Sequence, residues 1–187
     1  MPRLWEDTVE AHRRTVRDAT LDAAEALVAQ RGLASVTMSQ IAEATGIGRA
    51  TLYKYFPDVQ AVLHAWHERL IDRHLQRLAE ARDNAGDPLG QLRAVLQAYA
   101  AIRQAQPAGD LAAGLHRGAH IAQAHRHLHD FLTDLVRDAA DAGHVRADVP
   151  PGELAEFCLH ALGAAAALGE PEAVARLVAV TLAGLHR

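Results

Sequence analysis

Residues 35–56, SVTMSQIAEATGIGRATLYKYF, spell two short helices joined by a tight turn. The first helix begins at Thr37, whose hydroxyl is placed to cap the amide three residues on while Gln40 reaches back, the reciprocal pairing of a capping box. Val36 and Ile41 flank that box as a hydrophobic staple, which fixes the angle at which the chain enters the helix. Ile41, Ala42 and Thr45 form the expected buried face. Gly46 ends the helix where a left-handed residue is needed, and Ile47 plugs the turn.

A second helix of about two turns fits Gly48 to Phe56, with Leu52 and Phe56 at i and i+4 facing inward. Arg49, Ala50, Thr51, Tyr53, Lys54 and Tyr55 are then left outside. Such a set suits a DNA groove. Arginine pairs bidentately with guanine, threonine and alanine touch a thymine methyl, and tyrosine hydroxyls and lysine hold phosphates. Lys54 is the only lysine in the chain, a weak signal, because the abundance of Arg and Ala matches a GC-rich coding sequence that replaces most lysines anyway. Helix pairs of this shape also occur as packed corners with no nucleic-acid role. A solvated face would normally show Glu and Lys, whereas this one carries two tyrosines, an arginine and a lysine. Pro57 stops the helix and Asp58 caps the next.

At these residues the chain resembles the tetracycline-repressor (TetR) family of bacterial regulators. The shared pattern reads here Thr37-x-x-x-Ile41-Ala42, then Gly46-Ile47-x-x-x-Thr51-Leu52-Tyr53-x-Tyr55-Phe56, and the similarity covers about residues 13 to 70. The resemblance implies an all-α protein of about nine helices. An N-terminal helix-turn-helix domain, residues 1–57, is joined to a helical effector-binding and dimerisation domain, residues 58–187. It implies a transcriptional regulator, by default a repressor that a small molecule releases from a palindromic operator in double-stranded DNA. The expected DNA contacts are Thr37, Ser39, Gln40, Arg49, Ala50, Thr51, Tyr53, Lys54 and Tyr55. Family members commonly carry a lysine just after the recognition helix, whereas this chain has Pro57-Asp58-Val59-Gln60. One phosphate contact is therefore absent from its usual place, and Arg13, Arg14 and Arg17 are the candidates to replace it.

Composition narrows the mode of binding. With a formal charge of −4 over 187 residues, bulk attraction to DNA is excluded and a local patch must serve. Few aromatics and many Ala and Leu favour closely packed helices. The single cysteine, Cys158, excludes an intramolecular disulfide and reads as a small buried hydrophobe, with redox sensing as the alternative. The N-terminus has early acids and no apolar core of a signal peptide, and the longest apolar stretch, around Leu162 to Leu168, is too short to span a bilayer. A cytoplasmic protein without a membrane role is expected.

The punctuation along the chain is helical throughout, with no alternating strand pattern. Helices are expected at about Arg13–Arg31, Asp58–Arg82, Pro88–Gln104, Leu111–Ala122, His125–Ala142, Pro151–Leu168 and Pro171–His186, besides the central pair. Arg69, Arg73 and Arg77, spaced by four, read as the wet face of their helix. Near the C-terminus Val174, Leu177, Val178, Thr181, Leu182 and Leu185 form one apolar stripe and Leu154, Phe157, Ala161 and Ala165 another. They serve either the chain's own core or a four-helix homodimer interface, and both at once is consistent with helices apolar on more than one face.

Five of the twelve histidines fall between His116 and His129. The i, i+4 pairs His116/His120 and His125/His129 are able to chelate a metal or to sense pH, but only Asp130 is close as a further ligand, so pocket-lining or solvated roles are the default and no cofactor is expected. A family-type effector cavity points to Trp66, Leu70, Tyr99, Ile102, Leu115, His116, Ile121 and Phe131 as lining and to a hydrophobic or aromatic ligand, although the same residues would serve as core. Two other classes stay open. One is a small metal-dependent enzyme using the His116–His129 cluster, against which stands the lack of nucleophile-elbow, His-Glu-x-x-His and phosphate-loop motifs. The other is a partner-binding module that no longer reads DNA.

Overall fold

A computed structural model describes residues 3–105 and 119–186. The described residues form eight α-helices and no strand: α1 (Arg3–Arg31), α2 (Met38–Thr45), α3 (Arg49–Tyr55), α4 (Val59–Asp83), α5 (Pro88–Ala105), α6 (Ala119–Asp141), α7 (Pro151–Gly163) and α8 (Pro171–Leu185), with short 3-10 turns at Leu33–Ser35 and Ala164–Ala167. Two compact units result, Met1–Leu70 and Ile71–Arg187. The break at Pro57 separates α3 from α4, but the units part inside α4, because its first turns bury Val62, Leu63, Ala65 and Trp66.

In the first unit α1 packs on α2, and α2 on α3. Val16, Thr20, Leu21, Ala24 and Leu27 give α1 a buried stripe at the spacing one helix face requires. Thr20 is the polar member, and its hydroxyl donates to the Val16 carbonyl at 2.7 Å, so no buried donor is left unmet. The helix starts at Arg3 rather than near Arg13. Residues 9–15 are all exposed, so they carry no apolar stripe from which a helix is readable, and nothing in that stretch breaks one.

The second unit is built around α5, which packs against α6, α7, α8 and the 3-10 turn. Leu92, Val95, Leu96 and Ala100 from α5 meet Leu132, Leu135 and Val136 from α6, Ala155, Cys158 and Leu162 from α7, and Val174, Val178 and Leu185 from α8 in one core. Fully buried Ala100, Ala139, Ala155 and Ala165 are the residues that let Ala-rich helices approach closely. Gly143, at φ 78, closes α6, with the His144 amide donating to the Ala139 carbonyl at 2.9 Å; only a residue without a side chain adopts that angle at no cost.

Two boundaries differ from the sequence expectation. The helix expected to break between Ala122 and His125 runs unbroken through α6, since Ala122-Gln123-Ala124 holds neither Gly nor Pro. The remainder of that expected segment, residues 111–118, lies outside the described residues. The run Pro151–Leu168 is α-helical only to Gly163 and tightens into the 3-10 turn after it.

The buried thiol of Cys158 is pushed up to about 12 by desolvation. Its thiolate, the reactive form, is therefore scarce at neutral pH, which together with full burial favours the reading of Cys158 as a small buried hydrophobe. The native protein should leave a disulfide-exchange reagent such as DTNB unreacted at pH 8 and release one thiol equivalent only on unfolding. Leu96→Ala, deep in the same core, should cost about 2–5 kcal/mol in chemical denaturation.

Candidate nucleic-acid interface

Every local device expected between Thr37 and Asp58 is formed. The Gln40 amide donates to the Thr37 hydroxyl at 3.3 Å and the Thr37 amide to Gln40 Oε1 at 2.9 Å, closing the capping box. Val36 and Ile41, the staple pair, are both buried. Gly46 takes φ 68 and ψ 7. Thr45 locks the turn from the side, its hydroxyl donating to the Ile41 carbonyl at 2.8 Å and accepting from the Ile47 amide at 3.2 Å. After α3, Asp58 Oδ1 accepts from the Ala61 amide at 2.8 Å and so starts α4.

With Leu52 and Phe56 buried, α3 presents Arg49, Ala50, Tyr53 and Lys54 fully outward, whereas Thr51 and Tyr55 are half-buried. These two therefore offer only their outer edges, a correction to the set of six exposed side chains. Tyr53 is 52% exposed. Thr37 and Ser39 are exposed and Gln40 half-buried at the start of α2. Arg49 Nη1 donates to Ser39 Oγ at 3.1 Å, joining the two helices across the turn. Sequence spacing gave no sign of that bond.

Around this pair, α1 supplies two further links. The Arg17 guanidinium lies 5.3 Å from the centre of the Phe56 ring, a cation–π contact that holds a positive charge beside the end of α3. Arg13, Arg14 and Arg17 are all exposed. Arg69 of α4 is not a wet-face residue as its spacing suggested: it bonds Asp22 at 2.7 Å and lies 3.5 Å from Glu25, with 24% of its side chain exposed. Arg73 and Arg77 are exposed.

A second candidate site lies wholly in the second unit, where α5, α6 and α7 line an open cleft of about 430 Å³. Tyr99 and Arg103 come from α5, His125, Arg126, His129 and Asp130 from α6, and Glu156, Leu159, His160 and Gly163 from α7. Burial raises the Tyr99 hydroxyl above its ordinary value, Arg103 pulling it down and Glu156 pushing it up, so at neutral pH it is a donor. His129 Nε2 lies 3.2 Å from the Gly152 carbonyl, and His160 Nε2 lies 2.9 Å from Glu156 Oε1. Among the described residues no three His, Cys, Asp or Glu side chains are arranged to hold a metal ion.

Of the expected effector-lining residues, Tyr99 faces this cleft. Ile102 is buried in the core and Phe131 is packed against it, with the Arg82 guanidinium 5.3 Å from its ring centre. Trp66 is buried and Leu70 half-buried in the first unit. Leu115 and His116 lie outside the described residues, as do the side chains of His120 and Ile121. The C-terminal stripe turns mainly inward: Val174, Val178, Thr181 and Leu185 are buried and Leu177 and Leu182 half-buried. Phe157 at 44% and Val180 at 70% exposure are instead the large apolar side chains left outside on α7 and α8.

The family model for bacterial regulatory proteins of the tetR family matches residues 21–66, and that for the SbtR-like C-terminal domain of transcriptional regulators matches residues 91–187, more than half of the chain. The HTH-type transcriptional regulator TtgR of Pseudomonas putida is 37% identical over 94 residues, 45% of this chain and 43% of TtgR. The curated relatives are matched over 29% to 43% of their own lengths. A solved TetR/AcrR-family regulator from Thermobifida fusca shares the fold at a TM-score of 0.73 and 18% identity, over 92% of this chain and 100% of its own. AibR, solved with isovaleryl coenzyme A and operator DNA, shares it at 0.65 and 19% identity, over 90% and 97%. With a characteristic helix-turn-helix at its N-terminus and a matching domain over most of the remainder, the chain belongs to the TetR family of bacterial regulators.

Proposed function

We propose that the chain is a transcriptional regulator that works in the cytoplasm as a homodimer, binds a palindromic operator, and leaves it when a small-molecule effector binds. The observation that carries the reading is the outer face of α3, where Arg49, Ala50, Tyr53 and Lys54 stand exposed on a helix held by its buried side. In a chain of net charge −4, a face of that composition is accounted for by base edges and phosphates. A two-fold dimer sets two such helices in successive major grooves, about 34–36 Å apart, and obstructs transcription. No helix among the described residues is long and apolar enough to cross a membrane.

The dimer is assigned to the outer faces of α7 and α8. Phe157 and Val180 are exposed there, and Gly184 leaves room for the Phe157 ring, whose Cζ would lie 3.3 Å from a Cβ at that position. DNA reading is assigned to residues 1–57 and effector binding and dimerisation to residues 58–187, with α4 shared. An effector acts by binding better to the form whose recognition helices no longer match the operator, and the coupling is reciprocal. AibR's complex with isovaleryl coenzyme A and operator DNA supports the pairing of ligand and operator on this fold. The reading is of a regulator rather than an enzyme.

Selection of duplexes from a random pool should enrich a two-fold symmetric motif. Lys54→Ala and Tyr53→Ala should abolish that enrichment while helix content by circular dichroism stays unchanged; enrichment that survives both substitutions contradicts the assignment of α3. Arg17→Gln should flatten the dependence of log affinity on log salt by about one unit, since one phosphate contact is lost. Val180→Asp should convert the dimer to a folded monomer in light scattering and weaken operator binding with it.

A further inference from the structure

Ser39 and Arg49 stand on different helices, and Arg49 Nη1 donates to Ser39 Oγ at 3.1 Å across the turn between them. We propose that Ser39 is a positioning residue for base reading: it acts on DNA through Arg49, aiming the guanidinium at one guanine in each operator half-site. The inference rests on the DNA-reading assignment of α3 and names the residue that sets its selectivity.

Arg49 is the first residue of α3, and the N-terminal residues of a recognition helix are those that reach base edges in the major groove. A long side chain left to swing there meets guanine, adenine N7 and phosphate oxygens alike, and it loses its rotamer freedom only on binding. Ser39 supplies a fixed anchor. It lies in the first turn of α2, between buried Met38 and Gln40, whose side chain closes the capping box. Its place is thus set by packing and bonds within the first unit. The turn between the helices is locked as well, by left-handed Gly46 and by the Thr45 hydroxyl, which accepts from the Ile47 amide at 3.2 Å. The anchor and the root of the arginine therefore keep their separation.

The bond uses Nη1. Nε and Nη2 lie along the other edge of the guanidinium and keep the two parallel N–H groups that match guanine O6 and N7. The anchor is also neutral. Arg69 spends its charge on Asp22 and Glu25, whereas a hydroxyl orients Arg49 without cancelling the charge that draws it to DNA. Both Ser39 and Arg49 are exposed, where such a bond adds little to folding stability. Its effect falls on where the guanidinium points.

The test is fluorescence anisotropy with the full-length protein on the duplex selected from the random pool and on its single-base-pair variants. Arg49→Ala marks the position that Arg49 reads, the guanine in each half-site where discrimination is lost. Ser39→Ala should lower discrimination at that same position by about fivefold or more, the scale of one bidentate base contact, and leave the other positions within about twofold. Ser39→Thr, which keeps the hydroxyl, should restore it. In an Arg49→Ala background Ser39→Ala should change nothing at that position, because the pair acts as a unit. Discrimination is a ratio of affinities within one preparation, so loss of folded protein does not mimic it. Equal weakening on every sequence, the result of a phosphate contact by Ser39 itself, overturns the proposal. Unchanged discrimination, or an alanine effect that persists without Arg49, does the same. A wild-type protein that selects no duplex removes the DNA reading and this inference with it, whereas a selected motif that Ser39→Ala leaves intact removes the inference alone.

Discussion

A helix of seven residues does not hold itself together in water, where about 12–15 residues are marginal even for good helix formers. The recognition helix α3 is that short, with no side-chain cap at its start. It exists because Leu52 and Phe56 are buried against the rest of the first unit, and because Gly46 and Thr45 fix where the chain turns. Burial of two large apolar side chains, each worth about 1.5–3 kcal/mol, therefore decides whether Arg49, Tyr53 and Lys54 have any defined position at all. The exposed chemistry depends on the hidden half of the same two turns.

That dependence explains which parts were legible in advance. The capping box, the staple, the left-handed glycine and the Asp58 cap join residues no more than five apart, and local bonds of this kind leave a pattern in residue order. The bonds that sequence missed span more of the chain. Arg49 reaches Ser39 ten positions back and Arg69 reaches Asp22 across forty-seven, while Arg17 meets Phe56 through the packing of three helices. An arginine every four residues looks the same whether it faces water or an acid on another helix. The start of α1 was missed for the opposite reason, since a helix whose turns are wholly exposed has no apolar period to read.

The cleft between α5, α6 and α7 was the least legible part, and the cause is compositional. In helices built from Ala and Leu, core and cavity walls draw on the same residues, so Ile102 and Phe131 read as lining and are packed in or against the core. The polar wall was hidden differently. Arg103, Arg126 and Glu156 are ordinary surface residues in sequence, and only the meeting of α5, α6 and α7 turns them toward one space. Of the histidine run, His129 finds its neighbours, the Gly152 carbonyl at 3.2 Å and Glu156 Oε2 at 3.9 Å, on a helix that begins more than twenty residues later.

The C-terminal helices carry the same lesson toward assembly. Their strongest apolar stripe, Val174 to Leu185, is used up inside the protomer, and what remains outside is a second face marked by Phe157 and Val180. The proposed dimer interface needs apolar side chains that the monomer leaves uncovered, and Phe157 and Val180 are the ones α7 and α8 offer. The electrostatics run parallel. A net negative chain is repelled by DNA except where α3 and Arg13, Arg14 and Arg17 of α1 supply its few cations. One such patch makes few phosphate contacts, and affinity grows with the number of phosphates neutralised. In the proposed homodimer a two-fold axis would double the patch and with it the number of phosphates neutralised.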